Sequence, residues 1–351
     1  MQRKTSGRTV TMNRDYEQWR DQFVDRLQVR IGSDEKLKGR GNISVETFSH
    51  INRGSHEGVI MLGHTQSGIS PVIYLDRLYE SHLKGVPDEI LMRGVVEQFA
   101  AHQNITVRVG ALQDYEKMRD HLRIRVSGLE GNRNWAKEMV CVAEGDFIYS
   151  CYLSFRNSDG DHMTLNISKS HADEWKVPYE QVMSDARKHS REMNVELRSV
   201  TEVLGFTKDD RITEEYFSHP ENLPEDEVMF ILQELGSPFG ASVIARDDVM
   251  QRVGEIFHDD YYVLPSSTME VMLIPARKVD EPEKLHEMVK EINETMVAPE
   301  QRLSDHVQFY DRARGRMMNL KEYQRQKQEL AWALNGKVMN RNRGVREDYE
   351  R

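Results

Sequence analysis

The stretch YYVLPSSTMEVMLIP, Tyr261–Pro275, holds two apolar runs separated by a polar segment with two adjacent serines. Apolar residues recur at alternate positions on both sides of this segment, which is the side-chain period of a β-strand. Pro and Ser are common turn residues. The stretch therefore predicts a β-hairpin, with Tyr262 and Leu264 on one face of the first strand and Val271 and Leu273 on the packed face of the second.

The polar segment of this hairpin raises the question of whether Ser266 or Ser267 is a nucleophile. A serine nucleophile needs a base within hydrogen-bond reach, and in many hydrolases it stands in a G-x-S-x-G turn between a strand and a helix. Here the glycines are missing and a second strand follows, so we interpret the segment as a structural turn. Glu270 is expected to point away from the core and to accept hydrogen bonds from the turn amides. The alternative is a hydrolase that uses the Pro265–Glu270 turn together with a distant histidine such as His306.

Helix and strand patterns continue along the rest of the chain. In three places a proline and an acid, or a proline followed by Tyr-Glu, introduce a helix after an apolar strand, as in "VIYL…VPDEIL", "LNIS…VPYEQV" and "VMLIP…EPEKLH". Proline suits the first turn of any helix, so these segments do not establish a true internal repeat. We predict an α+β protein, with mixed antiparallel sheets built from strand-strand-helix units and a C-terminal helical extension.

Three other segments give specific expectations. A helix is predicted over residues 14–30, where Trp19, Phe23 and Leu27 recur at every fourth position. The segment "ITVRVGAL" is typical of a strand. The segment "DEVMFILQELG" is predicted to be a helix that ends at Gly236.

The length of 351 residues allows two or three domains. The best linker candidate holds two prolines and many acids. We predict a flexible leader at 1–13, an N-terminal α+β region at 14–208, an acidic linker at 209–226, a C-terminal α+β region at 227–318, and a helix with a basic tail at 319–351.

Charge is distributed unevenly along the chain, whose net charge is −10. Residues 201–300 contain 23 acidic and 8 basic residues, whereas residues 312–351 contain 11 basic and 5 acidic residues. This asymmetry is typical of an acidic surface that faces a protein partner and of a basic tail that can touch nucleic acid. The alternative is that the surface helices are simply charged.

The compartment is predicted from what the sequence lacks. No apolar run approaches the roughly 18 residues of a membrane span, and the basic start has no apolar signal region. Two cysteines, Cys141 and Cys151, are fewer than a secreted chain of this size usually carries. We therefore expect a cytoplasmic protein without membrane contact, in which both cysteines are small buried apolar residues.

The histidines and glycines of the sequence do not form a known metal or cofactor motif. His50, His56 and His64 lie in or beside one predicted hairpin, but none of the short-range zinc spacings is present. The loop "SDGDHM", residues 158–163, lacks the continuation of an EF-hand. There is no Walker loop and no G-x-G-x-x-G after a strand. The sequence thus predicts no metal and no cofactor.

Four segments together resemble an uncharacterised bacterial family, domain of unknown function 5688, over roughly residues 16–316. The resemblance implies an intracellular α+β protein, often of anaerobic bacteria and sometimes encoded near mobile elements, and it supplies no activity and no catalytic residues. The family turn often reads Pro-Ser-Ser-x-His-Glu, and Met269 stands at the histidine position here. If that histidine is a catalytic base, this chain lacks it. The segments are "ISPVIYLDRLYESHLKG", the Asn-Ile-Ser…Trp-Lys-Val segment around Trp175, "YYVLPSSTMEVMLIPA" and "MVKEINETMVAPEQRLSDHVQFYDR".

These observations favour a non-catalytic cytoplasmic interaction or regulatory protein with a protein partner. Two alternatives stay open: the hydrolase described above, and an acidic mimic of nucleic acid that blocks a DNA- or RNA-binding partner. The oligomeric state does not follow from the sequence.

Overall fold

The computed structural model divides into two compact units, Met1–Lys117 and Met118–Arg351. This division differs from the predicted one, which placed a linker at 209–226. The α+β class is confirmed, because antiparallel sheets and helices make up both units. None of the helices described is long and apolar enough to cross a bilayer. The structure describes residues 6–39, 41–52, 54–61, 71–101, 112–156, 162–204, 215–265 and 267–329.

The first unit is a three-stranded antiparallel sheet that shares one hydrophobic core with three helices. β2 is the central strand and pairs with β1 and β3. The elements are α1 (Ser6–Ser33), β1 (Ile43–His50), β2 (Gly54–Met61), β3 (Ile73–Tyr74), α2 (Leu75–Leu83) and α3 (Asp88–Ala101).

The predicted amphipathic helix of this unit is confirmed as part of α1. Trp19, Phe23, Leu27 and Ile31 are buried in the core, as their four-residue spacing predicts. The helix begins at Ser6, within the segment predicted as a flexible leader. The apolar period of 3.6 residues therefore marked the face of this helix but not its start.

The second unit contains a four-stranded sheet in which β6 pairs with every other strand. β4 lies along one side of β6, and β5 and β7 follow one another along its other side. The strands are β4 (Leu122–Gly128), β5 (Cys141–Glu144), β6 (Phe147–Arg156) and β7 (His162–Asn166); the helices in this part of the chain are α4 (Tyr115–Met118), α5 (Arg133–Glu138), α6 (Lys169–Trp175) and α7 (Tyr179–Ser190).

A six-stranded antiparallel sheet completes the second unit, with the strand order β13-β12-β10-β11-β9-β8. A helix over residues 320–329 follows its last strand, and residues 330–351 lie outside the described part. The elements are β8 (Val195–Ser199), α8 (Val200–Val203), β9 (Phe230–Glu234), α9 (Asp247–Phe257), β10 (Tyr261–Leu264), β11 (Val271–Pro275), α10 (Pro282–Thr295), β12 (Gln308–Asp311) and β13 (Arg316–Asn319).

The hairpin predicted from Tyr261–Pro275 is formed by β10 and β11, in antiparallel register. Val263 and Leu273 face each other and belong to one buried cluster. Tyr262 and Ile274 are also cross-strand partners, and they belong to a second cluster on the other face. This sheet is thus covered on both faces, which explains why its central strands are almost continuously apolar.

One predicted helix is wrong, because the segment "DEVMFILQELG" contains the strand β9. A short apolar run does not distinguish a buried strand from a buried helix, and here pairing with both β8 and β11 decides for the strand. The predicted acidic linker lies between β8 and β9, so the chain on both sides of it belongs to the same sheet. Of the earlier predictions, residues 105–111 of "ITVRVGAL" lie outside the described part, as do His64, Asp159, Asp161 and Ser266.

Candidate functional site

The turn between β10 and β11 is held by hydrogen bonds that its backbone groups make. The hydroxyl of Ser267 accepts a hydrogen bond from the backbone N–H of Met269 at 3.0 Å. The N–H of Thr268 donates to the carbonyl of Gln301 at 2.8 Å, and its carbonyl accepts from the N–H of Ala241 at 3.2 Å. Ser267 therefore stabilises a turn that is also hydrogen-bonded to two neighbouring segments of the chain.

The residues proposed for a hydrolase are not brought together by these contacts. His306 lies with its Nδ1 3.3 Å from Oδ1 of Asp146, and its ring stacks on that of His286. Among the described residues, no hydrogen bond joins a histidine to the hydroxyl of Ser267. The carboxylate of Glu270 likewise makes no hydrogen bond or ion pair with the described residues, which differs from the role expected for it in the turn. Among the described residues of this turn, which do not include Ser266, no nucleophile is assembled with a base.

Asp146, at the turn between β5 and β6, connects the two sheets of the second unit. Its Oδ2 accepts hydrogen bonds from Nε2 of Gln308 at 2.8 Å and from Nδ2 of Asn319 at 2.6 Å. Burial alone would raise the pKa of Asp146, but these hydrogen bonds and the neighbouring His306 outweigh burial and lower that pKa. His306 thus belongs to an inter-sheet polar cluster.

A groove of about 630 Å³ lies beside α7 and α6 and is called the α7 groove below. Val182, Met183 and Ala186 are buried on one side of α7. Arg187 and Lys188 at the end of the helix, and Arg191 after it, are exposed. Basic residues in the last turn of a helix also interact favourably with its dipole. The outward cations that line the groove, with one carboxylate from Glu180, are Lys169, Arg187, Lys188 and Arg191.

These four cations have no ion-pair partner among the residues that the structure describes. In the part of the chain that the structure describes, none of them has a carboxylate within ion-pair distance. By contrast, Arg26 on α1 is paired and contacts Asp88 at 3.2 Å and Glu89 at 2.6 Å. The floor of the groove is apolar and consists of Met139, Val140, Val142 and Met183. The groove therefore combines unpaired positive charge with an apolar base.

The cysteine in this groove has the properties of a structural thiol. Cys141 donates a hydrogen bond through Sγ to the carbonyl of Ala136 at 3.2 Å. Burial raises the pKa of Cys141, and the nearby Lys169 lowers it only in part. The thiol therefore stays protonated near neutral pH, where a nucleophile would need to be a thiolate. Cys151 is buried and also free, as expected for a small apolar residue.

The first unit contains a second polar cluster, on the hairpin of β1 and β2. The hydroxyl of Tyr74 and Nε2 of His50 are 2.6 Å apart, and Nδ1 of His56 lies 2.6 Å from Oδ2 of Asp76. The two imidazole rings are 5.9 Å apart. Within the described ranges, no three His, Cys, Asp or Glu side chains converge as metal ligands. The sequence pointed to both histidines, but only the fold places Tyr74 and Asp76 beside them.

The α7 groove was not predicted from the sequence. The sequence signal for it is the group of basic residues at the end of the predicted helix, Arg187, Lys188 and Arg191. Lys169 and the apolar floor come from segments up to about 50 residues away, and only the tertiary fold brings them to α7.

Comparison with known families agrees with the resemblance found in the sequence. Residues 16–312 match the model of the Family of unknown function (DUF5688), which covers both units but ends before β13 and the helix at 320–329. Neither the curated proteins nor the solved structures compared with the chain include a match. The chain belongs to the family of unknown function DUF5688.

Proposed function

We propose that this protein is a non-catalytic cytoplasmic interaction protein whose second unit binds an acidic segment of a partner protein in the α7 groove. The observation that carries the proposal is the set of four unpaired cations above an apolar floor. An acidic segment would supply the missing carboxylates, and its apolar side chains would cover the methionines and valines below.

The charges of the groove are suited to steering and specificity. Lys169, Arg187, Lys188 and Arg191 are all exposed, so each ion pair with a partner contributes only about 0.2–1 kcal/mol. Their combined field raises the association rate with an acidic partner, and this effect decreases as salt is added. The apolar contacts on the groove floor then supply affinity that salt does not screen.

An acidic polypeptide fits the groove better than nucleic acid does. Proteins that bind single-stranded nucleic acid usually offer several aromatic rings for base stacking. Tyr179 is the aromatic residue that lines this groove, and the floor below it is aliphatic and thioether. Aliphatic side chains of a peptide match such a floor. The alternative of an acidic nucleic-acid mimic rests on the charge of residues 201–300 and draws no support from this basic groove.

The proposal is tested with labelled probes rather than with an unknown partner. A fluorescein-labelled peptide of Glu and Leu is titrated with the full chain, and its anisotropy is compared with that of a Lys and Leu peptide and of a single-stranded oligonucleotide. The double variant Arg187→Glu with Lys188→Glu should bind the acidic peptide at least about tenfold more weakly. The matched control reverses Lys284 and Lys290, two exposed cations of α10, and should bind like the unmodified chain.

Two results would count against this function. Equal losses in the groove variant and in the α10 control would mean that net charge alone attracts the peptide. Tighter binding of the oligonucleotide than of the acidic peptide, lost in the groove variant, would assign the groove to nucleic acid instead.

A further inference from the structure

A second cavity of about 520 Å³ lies on the other side of Arg187 and Arg191 and is called the arginine cavity below. Its lining comes from β4, β6, β12 and β13 and from the start of α9, so it opens where the two sheets of the second unit approach each other. A volume of this size falls in the range of small-molecule sites, roughly 300–1,000 Å³. The α7 groove does not include its inner residues.

The innermost charge of the arginine cavity is Arg246, whose side chain is only 9% exposed. Its Nη1 donates to the carbonyl of Met193 at 2.7 Å, and its Nη2 donates to the carbonyl of Arg191 at 3.2 Å. Its Nε–H is buried and has no acceptor among the described residues. Because this Nε–H has almost no accessible surface and both Nη atoms already have partners, Arg246 contributes its charge to the cavity rather than a free hydrogen bond.

The charge of Arg246 is only partly balanced by the protein. The nearest buried carboxylate is that of Glu234, whose Oε1 lies 3.9 Å from Nη1 of Arg246, beyond hydrogen-bond distance. Burial raises the pKa of Glu234 to about 7, although Arg246 acts in the opposite direction. Near neutral pH a fraction of Glu234 is therefore protonated, and the exposed Asp248, 3.4 Å from Nη2, is the other counter-charge.

The start of α9 adds a second source of positive potential. This helix of 11 residues begins directly after Arg246 and has no side-chain cap at its N-terminus. The free N–H groups of a first helical turn and the helix dipole both favour a bound anion. Asp247 lies in this first turn, but its side chain is exposed at the cavity rim, where water screens it.

The side chains at the rim and on the walls of the cavity indicate the chemistry of the rest of the ligand. Three exposed arginines, Arg187, Arg191 and Arg316, line the cavity together with three exposed carboxylates, those of Glu144, Asp247 and Glu322. None of the three arginines is ion-paired within the described ranges. Tyr149 and Tyr310 contribute aromatic wall surface. The remaining walls include apolar and thioether side chains, namely Ile244, Met250, Met317 and Met318. A guanidinium fork matches phosphate oxygens, whereas these walls match an organic body.

We propose that the arginine cavity binds a small phosphate monoester, with its phosphate between the start of α9 and the rim arginines, in the field of Arg246, and its organic body against Tyr149 and Tyr310. This proposal does not rest on the partner proposed for the α7 groove, so either can fail without the other, although the two sites share Arg187 and Arg191.

The test is isothermal titration of the full chain with phenyl phosphate and with adenosine 5′-monophosphate. Phenol, adenosine and inorganic phosphate serve as the separate halves of these ligands. We expect at least one monoester to bind, and to bind more tightly than its neutral half and than inorganic phosphate. Exposed positions provide variants that should fold normally. Arg316→Gln should weaken binding about three- to tenfold, Asp247→Asn should tighten it, and Lys284→Gln on α10 should leave it unchanged.

Absence of heat from both monoesters at ligand concentrations of about 1 mM would overturn the proposal. Binding that is insensitive to both Arg316→Gln and Asp247→Asn would also overturn it, because the ligand would then occupy another place. If inorganic phosphate binds as tightly as the monoesters, the organic body contributes no affinity, and that part of the proposal is refuted.

Discussion

Replacing Asp146 with asparagine tests whether this carboxylate holds the two sheets of the second unit together. Asp146 accepts hydrogen bonds from Gln308 and Asn319, which lie 162 and 173 residues away in sequence. A hydrogen bond to a charged group contributes about 1.5–3 kcal/mol, and the asparagine amide keeps one acceptor oxygen but loses the charge. Since Asp146 is partly exposed, we expect Asp146→Asn to lower the free energy of unfolding by about 1.5–3 kcal/mol at pH 7.

The same variant has a predicted pH dependence with a definite sign. The pKa of Asp146 is lower in the folded state than in the unfolded chain, so its contribution is present above the unfolded value of about 3.9. That contribution is lost as the pH falls through the folded pKa. The difference between the unmodified chain and Asp146→Asn should therefore stay constant from pH 7 to about pH 5 and shrink below about pH 4.

Urea unfolding followed by circular dichroism measures this difference at each pH. Asp280→Asn is the matched control, because Asp280 is exposed and makes none of these contacts. A difference smaller than about 0.5 kcal/mol at pH 7 would refute the inter-sheet role of Asp146. A difference that grows as the pH falls below about 4 would refute the direction assigned to the pKa of Asp146.

Three further substitutions test the packing around the central hairpin, each by urea unfolding. Glu270→Gln should change the free energy of unfolding by no more than about 0.5 kcal/mol, because the carboxylate of Glu270 has no partner among the described residues. A loss of about 1 kcal/mol or more, on the order of one hydrogen bond, would contradict this expectation. Gly240→Ala should cost about 2–4 kcal/mol, because the new Cβ would overlap the backbone carbonyl of Met269, and a neutral effect would mean that the turn shifts freely. Tyr323→Ala should cost roughly 1–3 kcal/mol, because its ring stacks on that of Phe309 with centroids 4.0 Å apart; an unchanged midpoint would show that the helix at 320–329 does not stabilise the sheet.

The parts of the fold that were predictable from sequence are those with a clear period. The helices introduced by proline or proline and acid are present as α3, α7 and α10, and the hairpin of β10 and β11 forms with Tyr262 and Leu264 in one cluster and Val271 and Leu273 in the other. The helix predicted after residue 319 is present over the described residues 320–329, and its Leu320 and Tyr323 pack in the second cluster of the six-stranded sheet. β9 was missed because a strand of five residues is too short to show a clear period.

The candidate site was less predictable than the fold for a physical reason. The α7 groove depends on Lys169 and on the strand residues near Val140 lying beside α7, which no local pattern encodes. The arginine cavity likewise depends on Arg246 and Arg316 meeting at the junction of two sheets. Charge patterns in the sequence indicated acidic and basic stretches, but the cations that converge come from separate stretches, one of which is acidic overall.

Arg187 and Arg191 line both the α7 groove and the arginine cavity, so the two sites share part of their positive charge. A phosphate monoester in the cavity would draw these guanidinium groups toward itself and would reduce the field that attracts an acidic segment. Thermodynamic linkage then requires that each ligand weaken the other by the same factor. Two shared surface ion pairs of about 0.2–1 kcal/mol each predict a factor of roughly 2 to 30.

Anisotropy titrations of the acidic peptide with and without saturating phenyl phosphate measure this factor, and the reverse titration must return the same value. Independent binding of the two probes, with both sites occupied at full affinity, would show that the shared arginines serve only one of them.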